Sequence, residues 1–381
     1  MTAFRLDSSH GTHASTRHDR TRTLCRSNPI FCTELLAFMK APRLQIVLIV
    51  YWVSIVFSGH NAGSMAAVAE TDAEPSWKWR PEDEHPCTVK RITMEEVYKV
   101  FGPQGVPVLY PDPLVIVAPP ASHNFYLRQL TREDRMVHNF PPNFEVTLSS
   151  SNSFSQHRRT VPLKTYLEEI KINNSTTSPH QLSNESWYLF GETFTDPWKE
   201  VLKDYQLPPC QTCREEYSAL SFGIGNRGSG VQWHIHGPGF SEALHGRKHW
   251  VLYPPHYDPP SFHHDQSTWN WMENVYTNTS LLAESIKKHN NLQQEAQNVA
   301  EKREKISPHF YPVLENGRPY ECTLEPGDLI YFPDRFHHAT INCDAYTAFV
   351  STFTSDHLYL QDQKREKVNN PTRVAELGFE L

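Results

Sequence analysis

The sequence predicts a mainly-β sandwich or barrel, with helices on its N-terminal side and one helical insertion. Three observations carry that expectation. From about Asn143 the chain breaks into short apolar runs, those runs are separated by Gly, Pro and Asp, and one long polar stretch with helical spacing interrupts them. Short β-rich segments closed by turn formers at this density mark a sandwich or barrel. The chain has 381 residues, 38% of them hydrophobic, enough for one sizeable core with appendages.

Residues 1–38 are rich in Arg, His, Ser and Thr and carry little apolar periodicity, so they read as an upstream extension or a disordered leader. Met39 then precedes Lys40, Arg43 and the fourteen residues LQIVLIVYWVSIVF (44–57), followed by the small polar run SGHNAGSMAA. A positive start, a short apolar run and a small-residue zone make residues 39–63 a signal peptide. As a helix the apolar run spans about 21 Å, less than the roughly 30 Å hydrocarbon core. A cleaved leader is therefore expected rather than an anchor, with the membrane touched only in transit and the endoplasmic reticulum lumen as the destination.

Four N-x-Ser/Thr sequons, at Asn173, Asn174, Asn184 and Asn278, agree with lumenal exposure, and three of them fall in the polar loop INNSTTSPHQLSNES. Beyond the leader stand Cys87, Cys210, Cys213, Cys322 and Cys343. In an oxidising lumen they allow two disulfides and one free thiol, with the pairing not readable from sequence. Cys210 and Cys213 have C-x-x-C spacing, but no second such pair or βαβ context accompanies them, so a structural role is expected.

Residues 64–142, with a helical patch near Met94–Phe101, read as an N-terminal wrap around the core. Across 143–355 the expected strands are FEVTLSS, WYLFGE, YSALSFGIG, VQWHIH, KHWVLYPP, GDLIYFP, HATIN and TAFVSTF, with VPLKTYLEEI as a helix start. Residues 280–306 are rich in Glu, Lys, Gln and Ala and form the exposed helical insertion. The tail, 356–381, is polar and ends in GFEL, which shares only two letters with a KDEL-type retrieval signal. The net charge is −7, and without residues 1–63, which hold seven Lys/Arg against three Asp/Glu, it is −11. An acidic body has little counterion-release affinity for nucleic acid, so no nucleic-acid partner is expected.

The chemistry centres on VQWHIH. In an extended strand residues i and i+2 share a side, so His234 and His236 point one way and Trp233 and Ile235 the other. Two such imidazoles are half of a metal site, and PGDLIYFPDRFHHAT offers a third at His337 or His338. Imidazole suits Fe(II), Zn and Cu alike. With 21 histidines in the chain an isolated H-x-H carries little weight, but GRKHWVLYPP follows closely, a strand with a cation at its start and a double proline at its end.

The order H-x-H-G-P-G, G-R-K-x-W-x-L-Y-P-P and E-P-G-D-x-x-Y-F-P-D-R-x-x-H-A-T resembles the jumonji-C superfamily of Fe(II)- and 2-oxoglutarate-dependent oxygenases. The resemblance covers residues 143–355 and implies a double-stranded β-helix, the cupin or jelly-roll barrel. It places metal ligands on His234, His236 and His338, the last five residues after Pro333, and makes His337 a lining residue. It puts the 2-oxoglutarate carboxylate on Lys248, where a buried ammonium and a dicarboxylate offset each other's desolvation. Trp233, Trp250 and Tyr253 would shape or support the pocket.

One departure stands out. His236 occupies the position of the usual Asp or Glu, leaving three neutral ligands where the family has two histidines and a carboxylate. Glu242, six residues on, would either reach the metal from a loop or serve as a hydrogen-bonded loop acid. The resemblance thus implies a lumenal Fe(II)/2-oxoglutarate hydroxylase of a secretory-pathway protein, or a catalytically silent barrel serving as an interaction module. Histone demethylation fits neither the leader nor the acidic body.

Overall fold

In the computed structural model the described residues are 79–80, 83–117, 123–150, 158–170, 187–191, 193, 195–255, 257–263, 266–301 and 317–369. The leader, the sequons at Asn173, Asn174 and Asn184, and the end of the tail lie outside them.

Among these residues twelve strands form two sheets: β1 (Lys90–Thr93), β2 (Leu114–Val117), β3 (Glu145–Ser150), β4 (Arg158–Pro162), β5 (Trp187–Leu189), β6 (Ser218–Gly225), β7 (Gly239–His245), β8 (Lys248–Tyr253), β9 (Tyr320–Leu324), β10 (Asp328–Phe332), β11 (His337–Asn342) and β12 (Thr347–Thr354). Nine make one sheet in the order β1-β2-β10-β7-β12-β6-β5-β3-β4, and β11-β8-β9 make the other. Every pairing is antiparallel except β1 with β2. This is the mainly-β jelly roll that the sequence leads one to expect.

Strand alternation sorts the residues into layers. On β8, Trp250 and Leu252 pack with Val115, Ala243, Ile330 and Phe332 of the large sheet, so they face the space between the sheets. The alternate residues Val251 and Tyr253, with Ala339 and Ile341 of β11, face outward onto Trp233, Trp271 and Met272. The far side of the large sheet buries Leu148, Phe222, Ile224, Leu244 and Val350 against Leu127, Met136 and Trp198.

Helix α1 (Met94–Phe101) starts in a capping box, Thr93 accepting from the Glu96 amide while the Glu96 side chain accepts from the Thr93 amide. Leu127 and Met136 come from α2 (Phe125–Leu130) and α3 (Glu133–Asn139), and Trp198 from α4 (Asp196–Leu202). The short α5 (Thr268–Trp271) backs the small sheet, and α6 (Thr279–Glu301) is the helical insertion. Asn278 is exposed ahead of α6 and accepts from the Ser280 and Leu281 amides through its Oδ1. No described helix is long and apolar enough to cross a membrane.

Three expectations need correction, and the tail holds a helix not expected from the sequence. The sheet begins at Lys90, because within the stretch read as a wrap β1 pairs with β2 and β2 pairs with β10. VQWHIH is not a strand: it meets β11 through the isolated His234–His338 bridge and through hydrogen bonds between Val231 and Thr340. GFSEALH and YECTL, not expected as strands, are β7 and β9. Part of the polar tail is helical, as α7 (Asp356–Asn369).

The cysteines pair as Cys87–Cys322, fastening the segment ahead of β1 to β9, and as Cys210–Cys213. Cys343 is free and buried, and burial pushes its thiol up to about 12, which keeps it protonated and unreactive.

Candidate metal centre

His234 and His338 meet because their backbones exchange two hydrogen bonds, His234 N to His338 O at 3.1 Å and the reverse at 3.0 Å. A third bond, Arg335 N to His236 O at 3.0 Å, fastens the other end of the H-x-H segment to the turn before β11. Arg335 sits at φ 57°, a left-handed conformation that costs a non-glycine residue energy and aims its amide at that carbonyl.

The ring centroids lie 4.1 Å apart for His234 and His338, 4.7 Å for His236 and His338, and 5.2 Å for His234 and His236. One nitrogen from each falls within 4.8 Å of the other two. All three Nδ1 atoms are engaged in the same way, His234 with Gln232 O at 2.6 Å, His236 with Gly237 O at 2.7 Å and His338 with Phe336 O at 2.8 Å. A carbonyl only accepts, so each Nδ1 that bonds one carries the proton, and on His236 and His338 this turns the Nε2 lone pair to the cluster. Burial, and then the neighbouring His236, push His234 down to about 3, and burial lowers His236 and His338 as well. Three neutral, tautomer-fixed imidazoles within reach of one point suit a divalent transition metal.

Lys248 lines a cavity beside the histidines, and Asn342 is buried next to it. They are direct partners in the β8–β11 register, as are Trp250 and Thr340. Lys248 is 1% exposed, and its Nζ donates to Asn342 Oδ1 at 3.0 Å and lies 3.9 Å over the Phe349 ring. Gly223 makes that stacking possible, since a Cβ there would collide with the ring. Burial of the ammonium pushes Lys248 down to about 7. The cavity, about 280 Å³, holds the three histidines and Lys248 between walls of Phe190, Trp250, Phe332, Phe349 and Phe353, with Thr340 and Ser351 as further polar groups. An apolar chamber with a buried cation and a convergent set of nitrogens fits both a metal and a small dicarboxylate.

The structure therefore gathers His234, His236, His338, Lys248 and Trp250 in one place. Trp233 and Tyr253 are not in the lining: they pack on each other behind the small sheet at 5.5 Å, and Tyr253 Oη donates to Gly317 O at 2.7 Å. His337 does not line the cavity either; alternation turns it outward, with its Nε2 3.9 Å from Asp258.

Glu242 is neither a loop acid nor a metal ligand. It stands on β7 with 0% exposure, on the face shared by Phe240 and Leu244, away from Ala243 and the chamber. There it accepts from Asn124 Nδ2 at 2.6 Å and lies 3.3 Å from His123 Nε2 and 3.4 Å from Arg128 Nη2, tying α2 to the sheet. Asn342, Phe349 and Thr340 were not singled out in the sequence, although period two along HATIN puts Asn342 and Thr340 on the side of His338.

Comparison with known proteins agrees with this geometry. Residues 99–355 match the family described as a cupin-like domain. The chain is similar to JmjC domain-containing protein 8 of Homo sapiens, 32% identical over 298 residues, 76% of this chain and 95% of that protein. The Mus musculus protein of the same name is 31% identical over 274 residues, 71% of this chain and 83% of that protein. Lysine-specific demethylase JMJ21 of Arabidopsis thaliana is 26% identical over 251 residues, 62% of this chain and 22% of that protein.

Proposed function

The chain belongs to the cupin-like JmjC family, and from that premise we propose that it is a 2-oxoglutarate-dependent hydroxylase acting on a protein of the secretory pathway. The observation that carries this reading is the pairing, in one apolar chamber, of three converging neutral imidazoles with a buried ammonium. His234, His236 and His338 would hold Fe(II), and Lys248 would take the distal carboxylate of 2-oxoglutarate. When bound, iron and 2-oxoglutarate would let dioxygen act as the oxidant, one oxygen atom going into the hydroxyl group and the other into the succinate formed, with CO2, from 2-oxoglutarate. The chain's own residues bind and orient: the Nδ1 bonds to Gln232, Gly237 and Phe336 hold the imidazoles in aim, and the aromatic walls keep water from the dicarboxylate.

A lumenal setting is supported by the leader motif at 39–63 and by the Cys87–Cys322 and Cys210–Cys213 pairs, which belong to an oxidising compartment. A demethylase role, after the name of the Arabidopsis relative, is disfavoured by the leader motif at 39–63 and by an acidic body with little counterion-release affinity for the nucleic acid of chromatin.

His236 favours a second reading. A carboxylate would neutralise one positive charge of a divalent ion, and an imidazole does not, so a barrel that binds metal without turnover, and works as an interaction module, also fits this ligand set. Succinate formation from 2-oxoglutarate by the full chain with Fe(II) in air separates the two. Turnover abolished by His338→Ala establishes the oxygenase, and a metal-loaded, folded protein that yields no succinate establishes the module.

A further inference from the structure

Resting on the reading of the chamber as a metal and dicarboxylate site, we infer that Asn342, held in place by Ser229, is a positioning and selectivity residue. It presents the Lys248 ammonium to the chamber without supplying a counter-ion, so the pocket selects ligands that bring a distal carboxylate of their own.

The described contacts of Lys248 Nζ are the Asn342 amide oxygen and the Phe349 ring, and neither is an anion. Asp344, two residues beyond Asn342, is engaged by Arg247 at 2.9 Å. A buried ammonium with only neutral partners is under-compensated, and the strongest remedy is a charge-assisted hydrogen bond to a carboxylate arriving from outside. An ammonium has three hydrogens. One is used by Asn342 and one side is covered by the Phe349 ring, leaving donor capacity for a ligand.

The amide is locked by what lies behind it. Asn342 Nδ2 donates to Ser229 Oγ at 3.0 Å, and Ser229 Oγ donates to Asn226 O at 2.7 Å. Each step has one direction: the Asn226 carbonyl must accept, so the Ser229 oxygen is free to accept from Nδ2, and Asn342 Oδ1 turns to the ammonium. The backbone reinforces the arrangement, Asn342 N donating to Ser229 O and Gly228 N to Asn342 O, both at 2.8 Å. Gly225 leaves the room, since a Cβ there would strike both the Asn342 amide and the Ser229 hydroxyl. An aspartate would fill the same volume as Asn342, so a neutral amide here keeps the cation available to a ligand.

The test compares 2-oxoglutarate with 2-oxopentanoate, which lacks the distal carboxylate, by calorimetry on the Zn(II)-loaded full chain. Wild type should prefer 2-oxoglutarate by at least about tenfold, and Asn342→Asp should lose at least about tenfold in 2-oxoglutarate affinity with 2-oxopentanoate unchanged. Ser229→Ala, which frees the amide to turn, should move the same ratio in the same direction and stands in if the aspartate variant does not fold. A merely structural role would weaken both ligands in parallel. That result, or an unchanged ratio, overturns the inference while leaving the site reading intact; a wild type that binds neither ligand overturns both.

Discussion

His234 and His338 exchange both backbone hydrogen bonds at a single bridge, which brings their rings to 4.1 Å. The bridge fixes the relative position of two histidines on separate segments through main-chain geometry. Replacing His338 with alanine removes one of the three proposed ligands and keeps the backbone groups that make those bonds. Metal affinity should fall at least about 100-fold, beyond the 10- to 100-fold typical of losing only a supporting group, with the fold retained. Titration with Zn(II) or Fe(II) checks this, and an unchanged affinity would place the metal elsewhere.

His236→Asp should change which metal the site prefers. An oxygen ligand with a negative charge favours harder ions, whereas imidazole suits Zn and Cu. Relative affinity for Mn(II) over Zn(II) should rise in the variant, read from competition with a chromophoric chelator. A ratio that does not move would mean that residue 236 is not a ligand.

Lys248 should make the stability of the metal-free protein depend on pH. Burial lowers it from 10.5 to about 7. Below about 7 the folded and unfolded states both carry the proton and the cost of burying the charge is complete. Between about 7 and 10.5 the unfolded chain holds more protons, so stability rises with pH, by up to about 1.4 kcal/mol per unit. Denaturant unfolding at pH 7 and pH 9 should therefore show wild type gaining on Lys248→Met as pH rises. A gap between the two proteins that stays constant would contradict the account.

Glu242→Ala separates structural from functional acids. It removes the carboxylate between His123, Asn124 and Arg128 and leaves a buried guanidinium without its counter-charge. Breaking a buried pair in this way costs about 3–5 kcal/mol. Urea unfolding should register that loss, while metal affinity of the folded variant stays as in wild type.

Much of this was legible in the sequence, and the exceptions have physical causes. Strands with continuous apolar runs and clear turns, such as GDLIYFP, show their period directly. GFSEALH does not, because β7 is buried on both faces and carries Ser241 and Glu242, whose partners come from β12 and α2. The meeting of His234, His236, His338 and Lys248 in one cavity could be anticipated from the H-x-H pattern together with the family resemblance. Asn342 could not, because its importance arises from a cross-strand register that pairs it with Lys248, 94 residues away in the chain. Trp233 and Tyr253 misled because a buried aromatic next to a site residue looks the same in sequence whether it faces the chamber or, as here, the opposite side of the sheet.

The most direct measurement is an anaerobic titration of the full chain with Fe(II) and then 2-oxoglutarate, following the weak visible charge-transfer band of a chelated 2-oxo acid. The band should appear in wild type and be lost in both His338→Ala and Lys248→Ala. A folded wild type that binds neither iron nor 2-oxoglutarate would contradict the assignment of this chamber as a metal and dicarboxylate site.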